Sequence, residues 1–325
     1  MKRADWIPVG LTAAIAVAAL AFMGNPSTWL TLSIAGLAMG LLIFLMASGL
    51  TLVFGLMDVM NFAHGVFIAV GAYVGASVMK FLAAPAAADS LLENLGALLC
   101  AALAAALAAA LLGWFFERVI IRPVYGQHLK QILITTGGLI VAEQLIVVLW
   151  GPDLVPMQRP TTLRGAFLVG DMAIEKFRLV AVAVGLVVFV AMMLLLNRTK
   201  IGLLIRAGVE NKEMVEAMGY RIRRLFVAVF VAGSALAGLG GALWGLYQES
   251  LTVHIGAQMM VLIFIVIIIG GLGSVGGCFV GALLVGLVTN YVGYLAPKVA
   301  LGTNILLMVL ILLWRPQGLY PVSKS

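Results

Sequence analysis

Apolar runs of roughly 18 residues or more recur from end to end of this chain, and that recurrence leaves few folds open. A bilayer core about 30 Å thick takes about 20 apolar residues per helical crossing. Ten such runs stand out, at 6–24, 30–54, 62–79, 95–116, 132–150, 179–196, 225–247, 255–272, 275–296 and 299–314. Charged residues make up 10% of the chain, where a soluble domain carries about a quarter, so a water-soluble fold is excluded. The runs lack the alternation of a membrane barrel strand, and helices satisfy their own backbone groups in lipid. The expected fold is all-α: a polytopic transmembrane bundle of about ten spans, with membrane lipid as its main surrounding partner.

Basic residues orient the bundle. With ten crossings and a cytoplasmic N-terminus, fourteen of the twenty Lys and Arg fall in cytoplasmic connections and six outside, which predicts both termini in the cytoplasm. The net charge of +7 does not indicate nucleic acid, because these residues flank spans and do not alternate with aromatics. Behind Lys2 and Arg3, the run from Trp6 to Gly24 also resembles a secretory signal, but no small-x-small cleavage site follows. It reads as a retained first span joined by Asn25-Pro26-Ser27, giving an extra N-terminal segment 1–28 before a transmembrane domain 29–325.

Chemistry-bearing constellations are few. Cys100 and Cys278 sit within apolar runs, and His64, His128 and His254 fall on separate segments, so no disulfide framework, metal site or catalytic set is expected. Gly271-x-Gly273-x-x-Gly276 matches a dinucleotide fingerprint but lies between two spans, where a tight hairpin is the physical reading. The ridge Gly233, Ala237, Gly241 and Gly245 reads as close helix packing. No phosphate-cradling loop is present, so the chain is read as no enzyme, without a cofactor of its own.

Three features remain as functional candidates. Asp58, Asn61 and His64 recur every three residues and would form a polar stripe on a helix, either pinning or gating a span entry or touching solute. Pinning or gating is preferred. Glu143, with Gln144 beside it, falls near the middle of the fifth run, where a bare carboxylate costs about 2.5–3.5 kcal/mol, so it must be protonated, paired or wet. Thr135 and Thr136 lie two turns earlier and mark a possible pore face. The segment from Arg206 to Arg224 has short-helix character, with Glu210, Glu213, Glu216 and Ala217 ahead of Gly219, a residue suited to a helix C-terminus.

Gly55-Leu-Met-Asp-Val-Met-Asn61-Phe-Ala-His64-Gly65 makes the chain resemble the LivH-type permeases of branched-chain amino acid ABC importers. The landmarks continue with Glu117-Arg118, Arg122-Pro123, the 206–219 loop, the glycines of 270–277 and Arg315-Pro316-Gln317-Gly318, covering about Trp29 to Gly318. The resemblance implies a multi-pass subunit of the bacterial inner membrane that carries a small polar solute. Branched-chain amino acids are the first expectation; urea or short amides are the alternative within the family. It implies a second related permease, two cytoplasmic ATPase subunits that hold the ATP and magnesium, and an external solute-binding protein. It also makes 206–219 similar to a coupling loop, with Glu213 and Gly219 at the family spacing and Met214 and Val215 replacing its two alanines. A rival of another class is an ion-coupled transporter or channel using Glu143.

Overall fold

The computed structural model describes residues 7–57, 59 and 61–320, and its described residues are overwhelmingly helical. All ten apolar runs become helices: α1 (Ile7–Met23), α2 (Pro26–Met57), α3 (His64–Phe81), α5 (Leu91–Phe116), α6 (His128–Trp150), α7 (Lys176–Arg198), α10 (Ile222–Gln248), α11 (Ile255–Gly270), α12 (Val275–Leu295) and α13 (Ala300–Trp314). Three shorter helices join them: α4 (Ala83–Ala87), α8 (Lys200–Glu210) and α9 (Lys212–Ala217). Among the described residues seven helices are long and apolar enough to cross a membrane, whereas α1, α11 and α13 are shorter. The chain is thus an all-α polytopic membrane protein.

Local chemistry sets several ends. Ser90 caps α5 by accepting from Glu93 N at 3.5 Å, and Ser274 caps α12 by accepting from Gly277 N at 3.1 Å. At its other end α5 loosens through a π-turn, Glu117–Ile121, into a 3-10 turn, Arg122–Val124. Pro123 has no N–H to continue the helical ladder, and although Arg122 before it keeps helical dihedrals, the chain leaves helical geometry at Tyr125. Gly271 and Gly273 take positive φ values of 100° and 80° in the turn between α11 and α12.

Helix α2 runs through the centre, against α12 on one side and α10 on another, while α10 also packs on α3 and α5. Backbones touch along these seams. A Cβ at Gly40 would lie 2.6 Å from the Ala282 carbonyl oxygen, and one at Gly36 would lie 2.8 Å from Leu287 Cα. Gly49 faces Gly233 and Gly71 faces Gly238 in the same way, and Gly241 meets the Ile68 carbonyl. Without a hydrophobic drive between helices in lipid, such close van der Waals contact is the main adhesive.

Two helices start deep inside the bundle. The His64 ring at the first residue of α3 reaches the carbonyl of Met46, which lies about three turns, or roughly 16 Å, before the end of α2. After α2 the chain therefore doubles back before α3 begins. Segment 249–254 behaves likewise after α10, and α11 then opens beside α3. The two openings touch reciprocally: a Cβ at Gly65 would lie 2.6 Å from the Gly256 oxygen, and one at Gly256 would lie 2.5 Å from the Gly65 oxygen.

Arg159 holds the second return in place. Its guanidinium donates to the Leu246 and Tyr247 carbonyls at 2.9 and 2.8 Å, and pairs with Glu175 at 2.9 Å and Glu249 at 3.0 Å. Glu249 carries φ 59°, a left-handed conformation unusual for a side chain with a Cβ, at the point where α10 stops. Nearby, Val155–Pro156 pairs antiparallel with Ser250–Leu251, and a hairpin joins Ala166–Val169 to Met172–Glu175.

Candidate translocation path and coupling surface

The sequence pattern Asp58, Asn61, His64 does not form the stripe of one helix. Asn61 lies in the non-helical return and His64 opens α3, while Asp58 lies outside the described residues. Gly65 shows why: at the start of α3 it meets the backbone of Gly256, a close approach that requires the chain to leave the line of α2 first. His64 is buried, with Nε2 2.9 Å from the Met46 oxygen and its ring edge-on to Phe67 at 5.9 Å. That contact ties α3 to α2. Asn61 is also buried, yet neither its Oδ1 nor its Nδ2 has a hydrogen-bond partner among the described residues.

The return is also held from α6. Thr135 is buried and its Oγ accepts from Phe62 N at 3.2 Å, while donating back to the Gln131 carbonyl at 2.6 Å. Thr136 and Gln144 are exposed. Glu143, two turns beyond Thr135, is mostly shielded, and its Oε2 lies 3.6 Å from Nδ1 of His254. Its Oε1 is buried without a partner among the described residues. The imidazole itself stays open, 69% exposed. A mid-span carboxylate therefore faces a titratable ring on the return that precedes α11, and the pair links α6 to that return.

Sequence reasoning does not foresee His254 as this partner. The only available signal is that His254 and Glu143 are polar exceptions near two apolar runs, and their separation in the chain hides the contact. Arg159 is likewise unmarked beyond its count as a basic residue, since Glu175 on one side and Leu246, Tyr247 and Glu249 on the other come from two separate segments.

At the opposite end of α10, the segment read as a docking element forms α8, α9 and a tight turn. Asn211 caps α9 by accepting from Met214 N at 2.9 Å, and Glu213 sits in the first helical turn, where a negative charge complements the helix dipole. Gly219 has φ 85°, which a residue with a Cβ adopts only at a cost, and the chain reverses there into α10. Val215 is buried and anchors the element, whereas Glu213, Glu216, Ala217, Met214, Met218 and Tyr220 are exposed. Arg206 is exposed on α8 and reaches Asn197 at 3.4 Å. Glu210 ends α8, and its side chain lies outside the described residues. Exposed methionines and a tyrosine around a short capped helix make an adaptable contact surface.

Comparison with known proteins places this architecture. The chain is 28% identical over 294 residues to the high-affinity branched-chain amino acid transport system permease protein BraD of Pseudomonas aeruginosa, covering 87% of this chain and 93% of that one. It is 28% identical over 292 residues to the corresponding LivH protein of Escherichia coli K12, covering 87% and 92%. A shorter match, 30% over 176 residues, joins it to the probable branched-chain amino acid transport permease protein LivM of Methanocaldococcus jannaschii, covering 48% of this chain and 49% of that one. No solved structure matches. The profile of one permease family spans residues 32–314, from early α2 to the end of α13, and so the chain belongs to the family described as the branched-chain amino acid transport system permease component.

Proposed function

We propose that this chain is the pore-forming permease subunit of an ATP-driven ABC importer for branched-chain amino acids. It crosses the bacterial inner membrane about ten times, with both termini in the cytoplasm. The observation that carries the reading is the family match over 32–314 combined with the exposed, capped helix α9 followed by Gly219. ATP and magnesium belong to two cytoplasmic ATPase subunits, which dock on Arg206, Glu210, Glu213, Glu216, Ala217 and Gly219. A second related permease completes the pore, and an external or periplasmic binding protein delivers the solute. The fourteen-to-six bias of basic residues supports the orientation. The contact of Leu319 N with the Ile269 carbonyl at 2.8 Å supports placing the end of α11 and the segment after α13 on one side of the membrane.

In this reading nucleotide-driven closure of the ATPases pulls α9 and biases the bundle between two arrangements. His64 and Thr135 pin the return between α2 and α3, and Asn61, Glu143, Gln144 and Thr136 border the path. The mid-span contact of Glu143 with His254 favours one rival, an ion-coupled transporter. Uptake of leucine, isoleucine and valine into vesicles holding the full complex separates them. ATP and binding protein are expected to be required; uptake driven by an ion gradient with the ATPases absent overturns the proposal.

A further inference from the structure

Beside Gly219, the end of α5 and the start of α10 enclose an open cleft of about 640 Å³; Glu216 and Gly219 of the proposed docking loop form one rim, and the transport reading gives its arginines no role. Five arginines line it: Arg118, Arg122, Arg221, Arg223 and Arg224. Two carboxylates, Glu117 and Glu216, also border it, leaving an excess of positive charge. Among the described residues none of the five arginines forms an ion pair. Glu117 is engaged elsewhere, since it is buried and accepts from the Tyr125 hydroxyl at 2.7 Å. Burial, and then that bond, push the Tyr125 phenol up, so it remains a donor to Glu117.

The surface next to the cleft is apolar and lies along a membrane-spanning helix. Leu103, Leu107, Leu111 and Trp114 repeat at three- and four-residue spacing on α5, all exposed, and lead to Arg118, whose guanidinium stands 5.7 Å from the Trp114 ring centroid. An aromatic ring at the end of an apolar stripe, followed by basic residues, is the arrangement found at a bilayer interface. Guanidinium groups match phosphate oxygens in paired hydrogen bonds, and basic pockets between spans on the cytoplasmic side hold anionic headgroups.

We propose that this cleft binds the phosphodiester headgroup of an anionic phospholipid from the adjoining leaflet, with an acyl chain along the Leu103–Trp114 stripe of α5. Calling that leaflet cytoplasmic rests on the proposed orientation. The site itself does not, because lipid discs expose both leaflets.

The test compares the purified complex in phosphatidylcholine discs with and without phosphatidylglycerol. Bound phosphatidylglycerol is counted by native mass spectrometry and by displacement of a fluorescent analogue. A triple variant, Arg118→Gln, Arg223→Gln and Arg224→Gln, is set beside the matching Arg→Lys triple. Since each basic residue near an anionic surface contributes roughly fivefold, the Gln triple should bind phosphatidylglycerol at least roughly tenfold more weakly. The Lys triple should keep much of the binding, and both should melt like the parent in pure phosphatidylcholine. Inorganic phosphate at equal concentration should not displace the lipid analogue; displacement would assign the cleft to a free anion. Unchanged phosphatidylglycerol binding in the Gln triple overturns the proposal. So does weaker ATPase attachment in pure phosphatidylcholine without any change in lipid binding, which would mark the cleft as a protein-docking surface. Intact coupling of ATP hydrolysis to uptake in Gly219→Leu, with phosphatidylglycerol binding still lost in the Gln triple, would count against the transport assignment of the flanking loop and leave the lipid site standing.

Discussion

Replacing Gly40 with alanine puts one methyl group into the α2–α12 seam. An ideal Cβ there would lie 2.6 Å from the Ala282 oxygen and 3.0 Å from Leu283 Cα. A comfortable carbon–oxygen contact is about 3.3 Å, so the two backbones must part by roughly 0.7 Å. Both obstacles are main chain within helices, and no side chain can swing aside. Overpacking of this kind costs about 1–3 kcal/mol, and the upper half of that range is expected because the separation also weakens the neighbouring contact of Gly36 with Leu287. Gly293→Ala on the same helix α12 is the control: nothing lies within 4 Å of its Cβ position, and alanine should be neutral or stabilising by up to about 1 kcal/mol. Equilibrium unfolding in mixed detergent micelles measures both. A Gly40→Ala protein as stable as the parent would refute the claim that backbone contact holds this seam.

Gly219→Leu should insert normally but leave ATP hydrolysis poorly coupled to uptake, since φ 85° disfavours any side chain while nothing crowds the site; vesicle assays of both activities decide it, and intact coupling counts against the docking role. A cysteine introduced near Lys212 should react with an impermeant reagent only from the cytoplasmic side and one near Asp171 only from outside, and the reverse pattern sinks the ten-span orientation. Glu143→Gln should keep the fold and alter transport rate or its pH dependence, whereas Glu143→Leu should abolish transport; normal transport with higher stability would reduce Glu143 to a packing defect beside His254. Arg159→Gln should destabilise the protein by roughly 1–3 kcal/mol, because it leaves the Leu246 and Tyr247 carbonyls without their shared donor while the part-exposed Glu175 keeps Arg178; an unfolding midpoint like the parent's would contradict this.

The elements legible in the sequence were those fixed by neighbours along the chain. Ten apolar runs became ten helices, and Gly219, at the end of a short acidic helix, has the left-handed backbone its position implied. The Gly271–Gly273 hairpin is likewise a local matter. What escaped depends on depth. Three-residue spacing made Asp58, Asn61 and His64 look helical, but whether a helix continues past Met57 is decided by Gly65 meeting Gly256, far away in sequence. The same non-local packing brings His254 to Glu143 and gathers segments around Arg159. Thr135 and Thr136 illustrate the limit: one step along α6 separates a buried acceptor from an exposed hydroxyl, and composition cannot say which faces in.

The glycine seams also determine which parts of the bundle can be displaced. Where carbonyls and Cα atoms touch directly, no layer of rotamers cushions a slide, so α2, α3, α10 and α12 form one block with almost no internal travel. Helices α6 and α7 stand differently: few of their residues, such as Thr135, Ala142 and Ile146 in α6 and Ala181 and Gly185 in α7, are buried inside the chain, whereas α2 is buried without a break over 40–51. Their outer faces exchange one apolar neighbour for another at little cost, because lipid tails and leucine side chains are nearly equivalent surroundings. A cycle of opening and closing is therefore confined to the boundaries of this block, where it meets α6, α7 or another subunit. Thr135 and the Glu143–His254 contact, which join α6 to the two returns, are the fastenings such a motion would have to loosen.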